Sequence, residues 1–213
     1  MPTNESTSAK VAEYLLEIKA TKLQPHQPFT WASGWKSPIY NDNRISLSYP
    51  KVRNFIKGAL AELIRTHYPG CELIAGVATA GIAPGALAAD ALELPFGYVR
   101  SEAKKHGMGN RIEGAVLPGQ KVVVVEDLIS TGKSSLEAVE ALKAYGCEVL
   151  GLAAIFTYGF DIAVQQFAQA DCPFVTLSNY DELIRVAIDK NYVQQEDLAL
   201  LADWRKNPAE WGK

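Results

Sequence analysis

Two adjacent acids, Glu126 and Asp127, carry the chemistry most easily read from this chain. They follow the run Val122 to Val125, and the hydroxyl-and-glycine turn Ser130-Thr131-Gly132 comes just after them. Carboxylates accept hydrogen bonds from sugar hydroxyls. The free N–H groups at a helix start bind anions such as phosphate. A paired acid beside an anion cradle therefore suits a sugar phosphate. The triplet Gly132-Lys133-Ser134 imitates the end of a nucleotide-binding P-loop. That loop needs another glycine where Asp127 stands, so the P-loop reading fails.

A second group of chemically capable residues lies in the segment Arg100 to Gly114. It contains Arg100, Lys104, Lys105 and His106 among glycines, with little apolar periodicity. Such a stretch reads as a long loop, and long loops in compact domains often serve as lids. Taken alone, it could also be a solvated basic loop.

These residues need a scaffold. The β-branched run Val122 to Val125 reads as a strand buried on both faces of a parallel sheet. The acids stand at its carboxyl end, where open α/β sheets bind ligands. A helix follows from Ser134 to Tyr145, and Gly146 stops it. Leu73 to Ala78, Pro95 to Val99, Val149 to Phe156 and Phe174 to Leu177 read as further strands. Between them, helices are expected from Pro50 to about His67, to about Leu92 after Pro84, and over 161–170. Tyr180 to Ala187 and Gln195 to Arg205 read as terminal helices. The turn Thr79-Ala80-Gly81 has small residues that let backbone approach a ligand.

The N-terminal part differs in character. Ser8 to Ala20 reads as an amphipathic helix with Val11, Tyr14, Leu15 and Ile18 on one face. The aromatic segment Phe29 to Arg44, with Gly34 and Pro38, suggests short strands and a turn. Trp31 and Trp35 read as packing residues, as do Trp204 and Trp211. Tyr40 either packs with them or faces a flat substrate.

The chain has 213 residues, 48% of them hydrophobic, and a formal net charge of -3. That suits one domain and argues against a general nucleic-acid binder. Cys71, Cys147 and Cys172 are scattered and form no metal or redox motif, which points to a reducing compartment. There is no signal-peptide pattern, and no apolar run approaches the ~18 residues of a membrane span. A cytoplasmic protein without membrane or nucleic-acid partners is expected.

The strand, double acid and Thr-Gly turn resemble the ribose-phosphate loop of the type I phosphoribosyltransferases. Phe29, Thr30, Ser33, Gly34, Ser37 and Pro38 resemble, in order, an N-terminal signature of orotate phosphoribosyltransferases. The order Arg100, Lys104, His106, Gly107, ending in Ile112-Glu113-Gly114, resembles that family's catalytic loop. The resemblance covers most of the chain. It implies an α/β, type I phosphoribosyltransferase fold: a central, mostly parallel sheet flanked by helices, with a small hood over about residues 1–45 and a core over about 46–213.

The implied reaction joins orotate to 5-phosphoribosyl 1-diphosphate (PRPP), giving orotidine 5′-phosphate and diphosphate in pyrimidine nucleotide synthesis. Magnesium is implied, held mainly through the substrate diphosphate, as is a homodimer that shares its lid between subunits. The implied PRPP site comprises Arg100, Lys104, His106, Glu126 and Asp127 with the turn Leu128, Ile129, Ser130, Thr131, Gly132, Lys133 and Ser134. Asp127, Lys104 and His106 are the implied catalytic groups. Ser130 and Tyr40 are the implied orotate contacts. Ala32, Ala80, Ser101 and Tyr158 stand where some relatives have Lys, Lys, Lys and Arg. A transferase for another base, and a non-catalytic sensor of PRPP, are the alternative readings.

Overall fold

The computed structural model describes residues 5–102 and 111–212. Helix α1 (Glu5–Glu17) opens the chain, followed by strands β1 (Thr21–Leu23), β2 (Phe29–Thr30), β3 (Lys36–Ser37) and β4 (Ile39–Asn41). A 3-10 turn (Asn43–Ser48) leads into α2 (Pro50–His67). Then come β5 (Leu73–Val77), α3 (Ile82–Leu92), β6 (Phe96–Val99), β7 (Ile112–Glu113), β8 (Lys121–Ile129) and α4 (Lys133–Tyr145). The chain continues through β9 (Glu148–Thr157), α5 (Asp161–Gln169), β10 (Phe174–Asn179) and α6 (Tyr180–Asp189). A short 3-10 turn (Gln195–Asp197) precedes α7 (Leu198–Lys206).

Six strands form the central sheet in the order β10-β9-β8-β5-β6-β7, and every pairing is parallel except β6 with β7. Strand alternation divides its core in two. Val123, Val125, Ile74 and Ile155 face α1, α2, α3 and α6. Val122, Val124, Leu73 and Ala75 face α4 and α5 through Leu136, Val139, Leu142 and Phe167. All four valines of β8 are fully buried, because helices cover both sides of this strand. Burying each such side chain contributes about 1.5–3 kcal/mol relative to exposure.

The N-terminal strands stay outside that sheet. Strand β1 pairs antiparallel with β4, and β2 with β3. The aromatic segment does form short strands and a turn, with Gly34 in the left-handed region. The C-terminal helix closes over this layer: Trp204, fully buried, packs against Trp31, Tyr158, Phe160 and Tyr180 at centroid distances of 5.3 to 5.7 Å. Its Nε1 donates to the Lys36 carbonyl at 3.2 Å.

Several boundaries differ from those read in the sequence. Helix α1 ends at Glu17, short of Ala20, because Lys19 turns left-handed and Thr21 pairs with Asn41. Ile112 and Glu113 belong to an edge strand, held by pairing with Tyr98 and Val99, rather than to a loop. Strand β8 runs four residues beyond Val125, to Ile129, because β9 continues alongside it to Thr157.

Candidate active site

The parallel strands occur along the chain as β5, β6, β8, β9 and β10. Beside β5, the sheet grows one way with β6 and the other way with β8. Successive connections diverge between β5 and β8, leaving a crevice at their carboxyl ends. Glu126 and Asp127 stand at that crevice, the turn 78–81 borders it, and Arg100 follows the neighbouring strand β6.

Both acids are strand residues, so their side chains leave β8 on opposite faces. Glu126 shares its face with Val124 and is buried, 4% exposed. Its Oε2 accepts from Ser135 Oγ at 3.1 Å, and its Oε1 from the Asp127 N–H at 3.0 Å. Asp127 shares its face with Val125 and is half-buried. Its carbonyl accepts from Asn43 Nδ2 at 2.7 Å. Burial, and then the neighbouring Asp127 charge, holds the Glu126 carboxyl well above its ordinary range. Burial also raises Asp127, against opposing contributions from a Glu126 hydrogen bond and the Arg44 charge. Burial therefore disfavours full ionisation of the pair, most strongly at Glu126.

The expected cradle, Leu128 to Ser134, begins within strand β8. Leu128 and Ile129 are paired strand residues opposite Phe156 and Thr157. Ile129 is fully buried, and its carbonyl accepts from Thr157 Oγ1 and the Tyr158 N–H. The turn proper is Ser130-Thr131-Gly132, which delivers the chain into α4 at Lys133. Gly132 has φ +86, and a Cβ there would lie 2.7 Å from Phe167 Cε2. Only glycine meets both conditions. No side chain caps α4, and its first intrahelical bond is Leu136 N–H to Gly132 O. The N–H groups of Lys133, Ser134 and Ser135 precede that bond, with the positive end of the helix dipole behind them. Lys133 and Ser134 are exposed there.

The turn after β5 includes a cis peptide between Ala78 and Thr79. The space that Gly81 leaves is taken by protein: a Cβ would lie 2.5 Å from the Val125 carbonyl. This glycine seats the turn on β8. Arg100 ion-pairs with Glu113 at 3.6 Å, and its carbonyl accepts from Arg111 Nε. Lys104, Lys105 and His106 lie outside the described residues. Two groups beside Asp127 escape a sequence reading. Asn43 holds its carbonyl, and Arg44, ion-paired with Asp42 at 2.7 Å, lines the same small space. Their only signal in the sequence is the polar run Asn41 to Arg44 at the end of the aromatic segment.

Tyr40 and Ser130 line one cleft of about 200 Å³, together with Trp31, Ala32, Asn41, Leu128 and Tyr158. The Tyr40 ring lies 5.7 Å from Phe29 and is 41% exposed. Tyr158 is the buried wall, packed on Trp31 at 5.2 Å and Phe160 at 5.3 Å. Burial pushes its phenol far up, so it remains a neutral hydroxyl. Trp31 packs and also lines the cleft, with its Nε1 donating to the Ile39 carbonyl. A larger cleft, about 550 Å³ between α6 and α7, contains none of the predicted site residues.

An acid pair, an open helix start and an aromatic cleft thus meet at one crevice, an arrangement that can hold a sugar phosphate beside a flat ring. Residues 47–183 match the family model described as "Phosphoribosyl transferase domain". The chain is 60% identical over 204 residues to the orotate phosphoribosyltransferase of Cytophaga hutchinsonii, covering 96% of this chain and 98% of that one. It is 59% identical over 208 residues to that of Listeria innocua, covering 98% and 100%. A crystal structure of orotate phosphoribosyltransferase from Aeropyrum pernix superposes with a TM-score of 0.74 at 27% identity, covering 86% of this chain and 99% of that one. The site and the full-length similarity agree, and the chain belongs to the orotate phosphoribosyltransferase family.

Proposed function

We propose that the protein transfers the 5-phosphoribosyl group from PRPP to orotate, giving orotidine 5′-phosphate and diphosphate. The observation that carries this reading is the meeting of Asp127, the uncapped start of α4 and the Tyr40–Ser130 cleft at the β5–β8 crevice. The 5′-phosphate binds at Ser130 to Ser134, on the N–H groups of the turn and first helical turn. Asp127 takes the ribose hydroxyls. Glu126, already engaged by Ser135 and the Asp127 N–H, mainly holds Asp127 in place. The flat base lies in the cleft between Tyr40 and Ser130.

As the bond from the anomeric carbon to diphosphate breaks, its electron pair leaves with the diphosphate and positive charge grows on the ring. A ring nitrogen of orotate then bonds to that carbon, and its N–H proton passes to an oxygen of the departing diphosphate. The Asp127 carboxylate is fixed before reaction and favours the cationic ring, which is the efficient form of electrostatic catalysis. Arg100 opposes the charge on the departing diphosphate, and Lys104 and His106 join it in this reading. Burial of the base and sugar excludes the water that would otherwise capture the ring carbon.

Among the described residues no cluster of three or more acidic, His or Cys side chains could hold a metal alone. The half-buried Asp127 carboxylate is a hard oxygen donor, which fits a magnesium ion held mainly by substrate oxygens. When bound, that ion supplies Lewis-acid stabilisation of the diphosphate. The reading includes a homodimer with a shared lid, a cytoplasmic location, and one domain with a hood over about residues 1–45. No helix among the described residues is long and apolar enough to cross a membrane.

Product analysis tests the assignment. With PRPP and magnesium, orotate should give orotidine 5′-phosphate, while adenine, guanine and hypoxanthine give no nucleotide. Turnover of a purine in preference to orotate would move the site to another base. Binding of PRPP without turnover of any base would make the protein a sensor.

A further inference from the structure

Tyr158 is the one buried residue among those described as lining the base cleft. It is 2% exposed, and its ring is packed by Trp31, Phe160, Trp204 and Phe156 at centroid distances of 5.2 to 5.7 Å. A buried phenol ordinarily finds a hydrogen-bond partner. Tyr68 and Tyr180 follow that rule, donating to the main-chain carbonyls of Leu152 and Leu201 at 3.0 and 3.1 Å. Tyr158 Oη has no such partner among the described residues. Nor is it sealed off: the fully enclosed side-chain polar atoms without a partner are Asn41 Nδ2 and Asn43 Oδ1. The small surface that Tyr158 keeps therefore includes its hydroxyl, and the space this side chain lines is the cleft.

That hydroxyl is a fixed donor. Burial first, then the Asp127 carboxylate and the phenols of Tyr180 and Tyr40, hold its proton in place. The phenol is thus within electrostatic reach of both the proposed ribose acid and the exposed Tyr40 ring. Its ring is immobilised by packing, and it gives up no protein bond when it meets a ligand, so little is lost on binding. None of the described lining residues is cationic, so an anionic ring is met here by neutral donors. In orotate, the nitrogen that bonds to the ribose lies between a ring carbonyl and the carbon bearing the carboxylate. Of those two acceptors the carboxylate is charged and takes the stronger bond.

We infer that Tyr158 is a specificity-determining residue, whose hydroxyl donates to the carboxylate of orotate. The inference rests on the placement of orotate in this cleft.

The test is Tyr158→Phe, which removes the hydroxyl and keeps the packed ring. No described protein group bonds that hydroxyl, so the thermal midpoint should hold. The KM for orotate should rise about 10- to 100-fold, the range for one hydrogen bond to a charged acceptor. The KM for PRPP should hold. Uracil has the ring carbonyls of orotate and lacks its carboxylate. Its inhibition constant against orotate should be the same in both proteins, so the preference for orotate over uracil shrinks by the same factor.

An unchanged orotate KM in the folded variant would overturn the inference. So would an equal rise in the uracil inhibition constant, which would move the bond to a ring carbonyl. Equal rises in the KM values for orotate and PRPP with a fall in thermal midpoint would overturn it too, by making the hydroxyl structural. Failure of the orotate assignment itself is separately visible, because the unaltered protein would then turn over no orotate.

Discussion

Asn43 Nδ2 donates to the main-chain carbonyl of Asp127 at 2.7 Å, across 84 residues of sequence. This bond ties the turn after β4 to the end of the central strand. It sets the N-terminal layer over the crevice, and it holds the backbone of the acid proposed to face the ribose.

Replacing that acid tests its role. Asp127→Asn keeps the size of the side chain and the main-chain bond to Asn43, so the thermal midpoint should change little. Turnover should fall ~100-fold, equivalent to about 2.7 kcal/mol of barrier. Steady-state kinetics beside a thermal melt decide it. Near-normal turnover in the folded variant would remove Asp127 from the chemistry.

The raised carboxyl of Glu126 has a signature in stability. The folded state keeps a proton that the unfolded chain releases near the ordinary carboxyl value of 4.5. The native protein then binds more protons than the unfolded one, so stability falls as pH rises from that value toward the native one. Asp127, also raised, acts in the same direction. Glu126→Gln is neutral throughout, and its thermal midpoint should fall less than that of the unaltered protein as pH rises above about 4.5. Parallel curves would mean that Glu126 is ionised in the folded state.

Gly132→Ala should weaken the phosphate cradle and the fold together. A side chain at this positive φ costs about 1–3 kcal/mol, and the new Cβ would also press on Phe167. The expected result is a lower thermal midpoint with a raised KM for PRPP. A normal midpoint and normal KM would show that the turn adjusts at no cost.

Trp204 links the C-terminal helix to the base cleft through Trp31 and Tyr158. Trp204→Ala removes a fully buried ring and should cost about 3–5 kcal/mol of stability, measurable by denaturant unfolding. Because Tyr158 loses its packing partner, the orotate KM should rise more than the PRPP KM. Equal changes in the two would confine Trp204 to the fold.

The legible parts of this molecule were those with local causes. The four valines, the Ser130-Thr131-Gly132 turn and the stop at Gly146 mark β8 and α4 because burial, turn chemistry and capping act over a few residues. Pro50 and the apolar stripe beginning at Val52 mark α2 in the same way. What escaped the sequence depends on distant partners. Strand β8 continues through the acids because β9 runs beside it, so the two side chains leave it on opposite faces and Ser135 bonds Glu126. The edge strand at Ile112 exists by pairing with β6. The roles of Asn43 at Asp127 and of Trp204 beneath Trp31 follow from chain crossings that no local pattern encodes.

The most direct measurement follows orotate by its ultraviolet absorbance in a mixture with purified protein and PRPP, with and without magnesium. The account predicts a loss of orotate absorbance that requires protein, PRPP and magnesium together. A flat trace from folded protein with all components present would contradict it.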